Sequence, residues 1–180
     1  DIGYCHYVCA WKELLQEDLS SALDHLKLAL ELINPTGFMA AEAIVVHGMV
    51  EVLRVKGDLK EARAYLSKSY EISYAMKSKY LEFVCLLDDA LLAMDRHDEG
   101  ASLSLLQKAL PLGREHGYVN MHFWRPTSMI RICVVALTNN IEVDYVRELI
   151  RKRKLTSEIT PLHIENWPWP LRIRTLGAFE

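Results

Sequence analysis

Apolar residues recur along the first 155 positions at intervals of three and four, the spacing of one face of an α-helix. Residues 41–55 place Ile44, Val45, Met49, Val52 and Leu53 on such a face, and residues 80–94 do the same with Leu81, Val84, Leu87, Leu91 and Met94. The pattern also matches itself after a shift of 40 positions. Asp18, Asp58 and Asp98 coincide, as do Leu26, Leu66 and Leu106, then Ala29, Ser69 and Ala109, then Leu30, Tyr70 and Leu110. Turn positions coincide at Gly37, Lys77 and Gly117, and a fourth copy keeps the spacing through Glu142, Val146, Leu149 and Ile150. Each Asp is placed to cap a helix, its carboxylate accepting free N–H groups of the first turn. Small residues at Ala22, Ala62 and Ser102 leave room for a neighbouring helix.

These features predict a helix–turn–helix unit repeated four times, near 1–37, 38–77, 78–117 and 118–153. The small–x₃–large–x₂–small pattern of each second helix resembles the tetratricopeptide repeat. That family's usual period is about 34 residues, so a spacing of 40 implies longer helices. The expected fold is all-α: a right-handed superhelix of stacked antiparallel helix pairs over residues 1–155 with a short extended C-terminal tail. A plain helical bundle is the alternative, and the constant shift of 40 argues against it.

The pattern breaks after Leu155. Pro161, Pro168 and Pro170 cannot sit in helix interiors, so 156–170 reads as a linker. Leu171, Arg172, Ile173 and Arg174 then alternate as a half-buried strand does. A lone strand has no ladder partner, so 171–180 is expected to open a truncated DNA-binding domain. Trp167, Pro168, Trp169, Pro170, Leu171, Gly177 and Phe179 resemble the junction entering an OmpR/PhoB-type winged-helix domain, next to a bacterial transcriptional activator region. Ile141, Val143, Tyr145, Val146, Leu149 and Ile150, followed by Arg151, Lys152 and Arg153, resemble the last repeat helix of MalT-like regulators. The likeness departs from the family at Ala178, where a basic residue is common. It implies an ATP-dependent, multidomain bacterial transcription regulator, with an upstream ATPase module and repeats that sense and contact. The missing initial Met and the broken-off strand point the same way, to an excised piece.

Composition bounds the function. The chain has 180 residues, 51% hydrophobic, with 21 Lys+Arg against 24 Asp+Glu and a net charge of −3. That excludes a disordered chain and, for this piece, a basic nucleic-acid binder. No run of about 18 apolar residues exists to span a membrane. Four cysteines are too few for a disulfide scaffold, which suits a reducing cytoplasm. Cys5, His6 and Cys9 have ligand-like spacing, but no second pair completes a four-ligand zinc site. The expectation is buried free thiols and no metal. No phosphate-cradling Gly loop or nucleophile elbow occurs, so no catalytic residue and no cofactor are expected. Asp88, Asp89 and Asp95 read as a solvated acidic patch.

The first helices of stacked pairs line an inner groove. Candidate binding residues there are Tyr7, Trp11, His47, Glu51, Arg54, Leu87, Leu91, Trp124, Thr127 and Arg131. Aromatic rings beside Arg suit a peptide, a protein domain or a small-molecule inducer, although each Trp serves equally well as a packing knob. The basic run Arg151, Lys152, Arg153 and Lys154 has two readings: phosphate contact beside DNA, or favourable charge at a helix C-terminus. Trp167 and Trp169 are expected to anchor the linker on the last helices or on a neighbouring chain. The functional expectation is a regulatory segment that signals to an attached DNA-binding domain. A passive protein–protein scaffold is the alternative, with homo-oligomerisation open in both.

Overall fold

The computed structural model describes residues 2–123, 125–155, 164, 167 and 168. Trp124, Trp169 and the expected strand at 171–180 lie outside the described residues, as does most of the linker. Among the described residues the chain is all-helical: α1 (Ile2–Leu15), α2 (Leu19–Ile33), α3 (Met39–Lys56), α4 (Leu59–Met76), α5 (Lys79–Asp95), α6 (Glu99–His116), α7 (Pro126–Thr138) and α8 (Val143–Lys152). A 3₁₀ turn at Asn34–Thr36 follows α2. No helix among them is long and apolar enough to cross a membrane.

The helix starts follow local chemistry. Asp18 accepts from the Ser21 N–H at 3.0 Å, and Asp98 from the Ala101 N–H at 3.0 Å. Asp58 departs from the expected cap. Its carboxylate pairs with Lys56 at 2.8 Å and makes no side-chain bond to the helix start. Between helices the backbone turns left-handed at Glu17, Gly57 and His97, and again at Gly37, Lys77 and Gly117. Gly57 takes its φ of 91° without the Cβ clash that other residues suffer there.

The helices pack most closely in the pairs α1/α2, α3/α4 and α5/α6, and α2 packs on α3 as α4 does on α5. α6 and α7 are more weakly joined. Two cores result. One lies within α1–α4 and reaches Leu81, Cys85, Leu92 and Phe123; the other joins α5–α8 and takes in Ile164 and Trp167. Residues 45–54 of α3 are buried without a break, and 83–93 of α5 with Leu86 as the one exception. A helix buried all round is a central helix, so α3 and α5 form the axis of the molecule.

The segment 118–123 explains the looseness between α6 and α7, because it folds back across the first helices. The Phe123 ring lies 5.4 Å from Tyr7, and its N–H donates to the Tyr7 hydroxyl at 3.2 Å. Gly48 leaves the notch that admits it: an added Cβ would stand 2.8 Å from Leu26 and 3.1 Å from the Phe123 ring. Tyr80 fastens the same segment, accepting from the His122 N–H at 3.1 Å.

Candidate functional site

The residues assigned to an inner groove are mostly interior. Tyr7, His47, Glu51, Arg54, Leu87 and Leu91 are all buried. Trp11 is half-buried against both cores, Thr127 is exposed, and Arg131 is half-buried. The 118–123 segment and α7 cover the faces of α3 and α5 that an open groove would present. The open aromatic groove is thus corrected to a closed polar seam.

That seam is built from residues seven apart on two central helices. α3 carries His47, Glu51 and Arg54 on one face, and α5 carries Asp88 and Asp95. The His47 Nδ1 lies 2.5 Å from Asp88 Oδ2, and its Nε2 donates to the His122 carbonyl at 2.7 Å. Arg54 grips Glu51 with Nε at 3.0 Å and Nη2 at 2.8 Å, while its Nη1 donates to Asp95 at 2.8 Å. Ser128 of α7 accepts from Arg54 at 2.7 Å and donates to Glu51 at 2.6 Å. Arg131 of α7 reaches the other Asp95 oxygen at 2.7 Å. Charges cancel along the seam, Arg54 and Arg131 against Glu51 and Asp95, so it can be buried without a stranded ion.

Asp88 and Asp89 are therefore not a solvated patch. Asp88 is 1% exposed and meets His47; Asp89 is 8% exposed and meets Arg63 and the Tyr70 hydroxyl. Burial depresses His47, but the Asp88 carboxylate and the His122 carbonyl outweigh it, and the imidazole sits above its ordinary value. Burial raises Asp88, against the pull of His47. Both shifts keep one proton on the pair. An unfolded histidine gives up its proton near pH 6.5, so the pair's contribution is complete below that value. It is lost as pH rises through the folded value of His47. We expect unfolding free energy to fall above about pH 6.5 by up to about 1.4 kcal/mol per pH unit. Urea titrations of wild type and His47→Gln at several pH values test this; an equal slope in both removes the pair from the pH response.

Beyond Arg131 the seam opens to solvent. A cleft of about 760 Å³ lies where α6 and α7 diverge, lined by Met94, Leu103, Val134 and Val135 with Ser102, Arg131, Thr138 and Asn139. His97 and Glu99 also line it. The Ser102 hydroxyl is buried with no hydrogen-bond partner among the described residues, which is uncommon for a native polar group. Apolar walls with a few convergent polar groups are the usual build of a small-ligand site. The cleft therefore joins a binding-site geometry to a charge network that crosses three helices.

No family model, curated protein or solved structure matches the chain. Function must be read from the residues themselves.

The remaining candidates separate. Cys5 and Cys9 are exposed, against the expectation of buried thiols, because no helix among the described residues covers that side of α1. Cys85 and Cys133 are buried, and burial pushes both thiols up to about 12. No cluster of three or more His, Cys, Asp or Glu among the described residues is arranged to hold a metal. Arg151 and Lys152 sit in the last turn of α8, with Lys152 held by Glu148 at 2.6 Å; Arg153 caps the helix and Lys154 follows it. This end of α8 is where cations complement the helix dipole. Asp88, Asp95 and Ser128 were missed as site residues. The signal lay in the sequence: His47, Glu51 and Arg54 at i, i+4 and i+7 within the apolar middle of α3, and Asp88 and Asp95 with the same spacing of seven in α5.

Proposed function

We propose that this chain is the non-catalytic regulatory segment of a bacterial transcriptional regulator of the MalT-like type. On this reading its helix pairs form a tetratricopeptide-like right-handed superhelix, and left-handed turn residues spaced 40 apart support that arrangement. The segment binds an inducer or a partner protein and passes the bound state to an attached DNA-binding domain. The observation that carries the reading is the seam that runs from His47 through Arg54 and Asp95 to Arg131, whose guanidinium lines the cleft. A ligand with an apolar body and an anionic group would lie on Leu103, Val134 and Val135 and compete with Asp95 for Arg131. That competition supplies the differential affinity a population shift requires. α7 would move with it, and α7 leads to α8 and the C-terminal segment.

The convergent polar groups of the cleft favour ligand sensing over a passive scaffold. The test is a thermal-shift screen against small carboxylate and phosphate metabolites. A ligand present at 100 times its Kd stabilises by about 2.7 kcal/mol, and Arg131→Ala should abolish the shift. A screen in which no metabolite raises the melting temperature, or in which Arg131→Ala responds like wild type, overturns the reading.

A further inference from the structure

The same shift of 40 residues shows that, among the described residues, one surface of α1 has no neighbour of the kind that covers α3 and α5. Cys5, Val8, Cys9 and Lys12 lie along one face of α1 and are exposed. Their counterparts in α3 are Val45, Gly48, Met49 and Val52, and in α5 Cys85, Asp88, Asp89 and Leu92, all of them buried. The second helix of the preceding pair covers several of them, while Asp88 meets His47 of α3 and Gly48 is closed by the Phe123 ring as well. Ser69 of α4 lies 3.1 Å from Cys85, and Arg63 and Tyr70 of α4 meet Asp89. Leu26 of α2 fills the space at Gly48.

Six of the ten large hydrophobic side chains exposed among the described residues belong to α1 and α2, the others being Phe38, Met39, Tyr74 and Met76. Ile2, Tyr4, Val8 and Leu15 of α1 and Leu28 and Leu32 of α2 are between 39% and 69% exposed. Lys68 and Lys108 stand where the repeat places Leu28, so the first pair has exchanged a solvated residue for an apolar one. The opposite end differs. α8 turns Asp144, Glu148, Arg151 and Lys152 outward, the build of a terminal cap. A second copy docked through α8 would place these charges on the apolar face, which argues against head-to-tail assembly.

We propose that the exposed face of α1 binds a helix pair of the same build as α3–α4, docked through its second helix. The partner helix carries a small–Leu–small stripe like Ala62, Leu66 and Ser69. It sets a small residue on Cys5, as Ser69 sits on Cys85, and apolar groups on Val8 and Cys9. Lys12 stays at the rim, where its amine already pairs with Glu13 at 2.8 Å and its stem can lie along the partner.

A duplication that keeps the repeat spacing tests this. Residues 38–80 are added ahead of Asp1, so that Tyr80 runs into α1 where Leu81 would follow. The control carries two further residues at the join, which turns the added pair by about 200°. The readouts are the melting temperature and the reactivity of Cys5 and Cys9 toward a maleimide. The in-phase fusion should melt higher than the 180-residue chain and label more than about tenfold more slowly, as buried thiols do; the control should label like the original. Val8→Lys should lower the melting temperature of the fusion and leave that of the original chain unchanged. A peptide of residues 57–80 added to the intact chain should slow labelling in the same way, and this holds the test open if the fusion fails to fold. Unchanged labelling in both formats overturns the proposal. So does equal protection in the out-of-phase control, or protection of the unmodified chain by concentration alone, which would mark a second copy as the occupant.

Discussion

Arg54→Ala should lower the unfolding free energy by about 3–5 kcal/mol, the range for removing one partner of a buried ion pair. Arg54 is 5% exposed and, among the described residues, is the one cation that meets Glu51, Asp95 and Ser128 together. Its loss leaves Glu51, 3% exposed, with Ser128 as its remaining partner among the described residues. Asp95 keeps Arg131, so the larger part of the penalty falls on Glu51. The double variant Arg54→Met with Glu51→Met should recover much of the loss, because an apolar pair of similar volume replaces a desolvated ionic one. Urea denaturation of the two single variants and the double variant gives the coupling energy. A loss below about 1 kcal/mol for Arg54→Ala is the scale of an exposed pair and would mean that water reaches the seam.

Much of the fold could be read from residues because each element carries its own local signal. The Asp, Leu and small-residue positions that recur every 40 residues become the starts and buried faces of α2, α4 and α6: Ala22, Leu26 and Ala29; Ala62, Leu66 and Ser69; Ser102, Leu106 and Ala109. α3 and α5 span the two apolar windows to within two residues at each end. The fourth unit was less legible. α8 starts at Val143 rather than one residue after an Asp cap, since Thr138 stands where the repeat calls for Asp.

The site was less legible than the fold, and Phe123 shows why. It lies in an irregular segment with no periodicity, and its burial depends on a notch at Gly48, 75 positions earlier. Nothing local to Gly48 distinguishes a notch from a weak helix position. Once Phe123 and His122 close over α3, a face that looked like a groove becomes interior. The charged residues on it must then find one another rather than a ligand. The complementarity of that seam was present in the spacing, His47 and Arg54 seven apart opposite Asp88 and Asp95 seven apart. Carboxylates are rarely buried unless paired, and reading α3 and α5 separately made Asp88 and Asp89 look solvated.

Trp167→Ala should destabilise the chain by about 3–5 kcal/mol, the range for emptying a buried aromatic site. Trp167 is 2% exposed and belongs to the core formed by α5–α8, together with Ile164. The Trp167 N–H donates to the Ile164 carbonyl at 3.2 Å, a tight turn that sets both side chains on the core. Pro168 follows and fixes its own φ, which lowers the entropy lost when this stretch is held down. Trp167 and Ile164 thus rest on their own chain, while Trp169 and most of 156–170 lie outside the described residues. A loss of this size in a chain of 180 residues corresponds to roughly 6–20 °C in melting temperature. The cavity should act on α8 first, because Val146, Leu149 and Ile150 belong to the same core. Amide exchange of 143–152 should then accelerate in Trp167→Ala, while α3 keeps its protection relative to global unfolding. Ile164→Ala should show the same pattern with a smaller loss, and the two effects should not add, since both side chains empty one shared space. If Trp167→Ala unfolds like wild type, the tail does not rest on α5–α8. The route from the cleft through α7 and α8 to whatever follows Trp167 would then have no fixed last step.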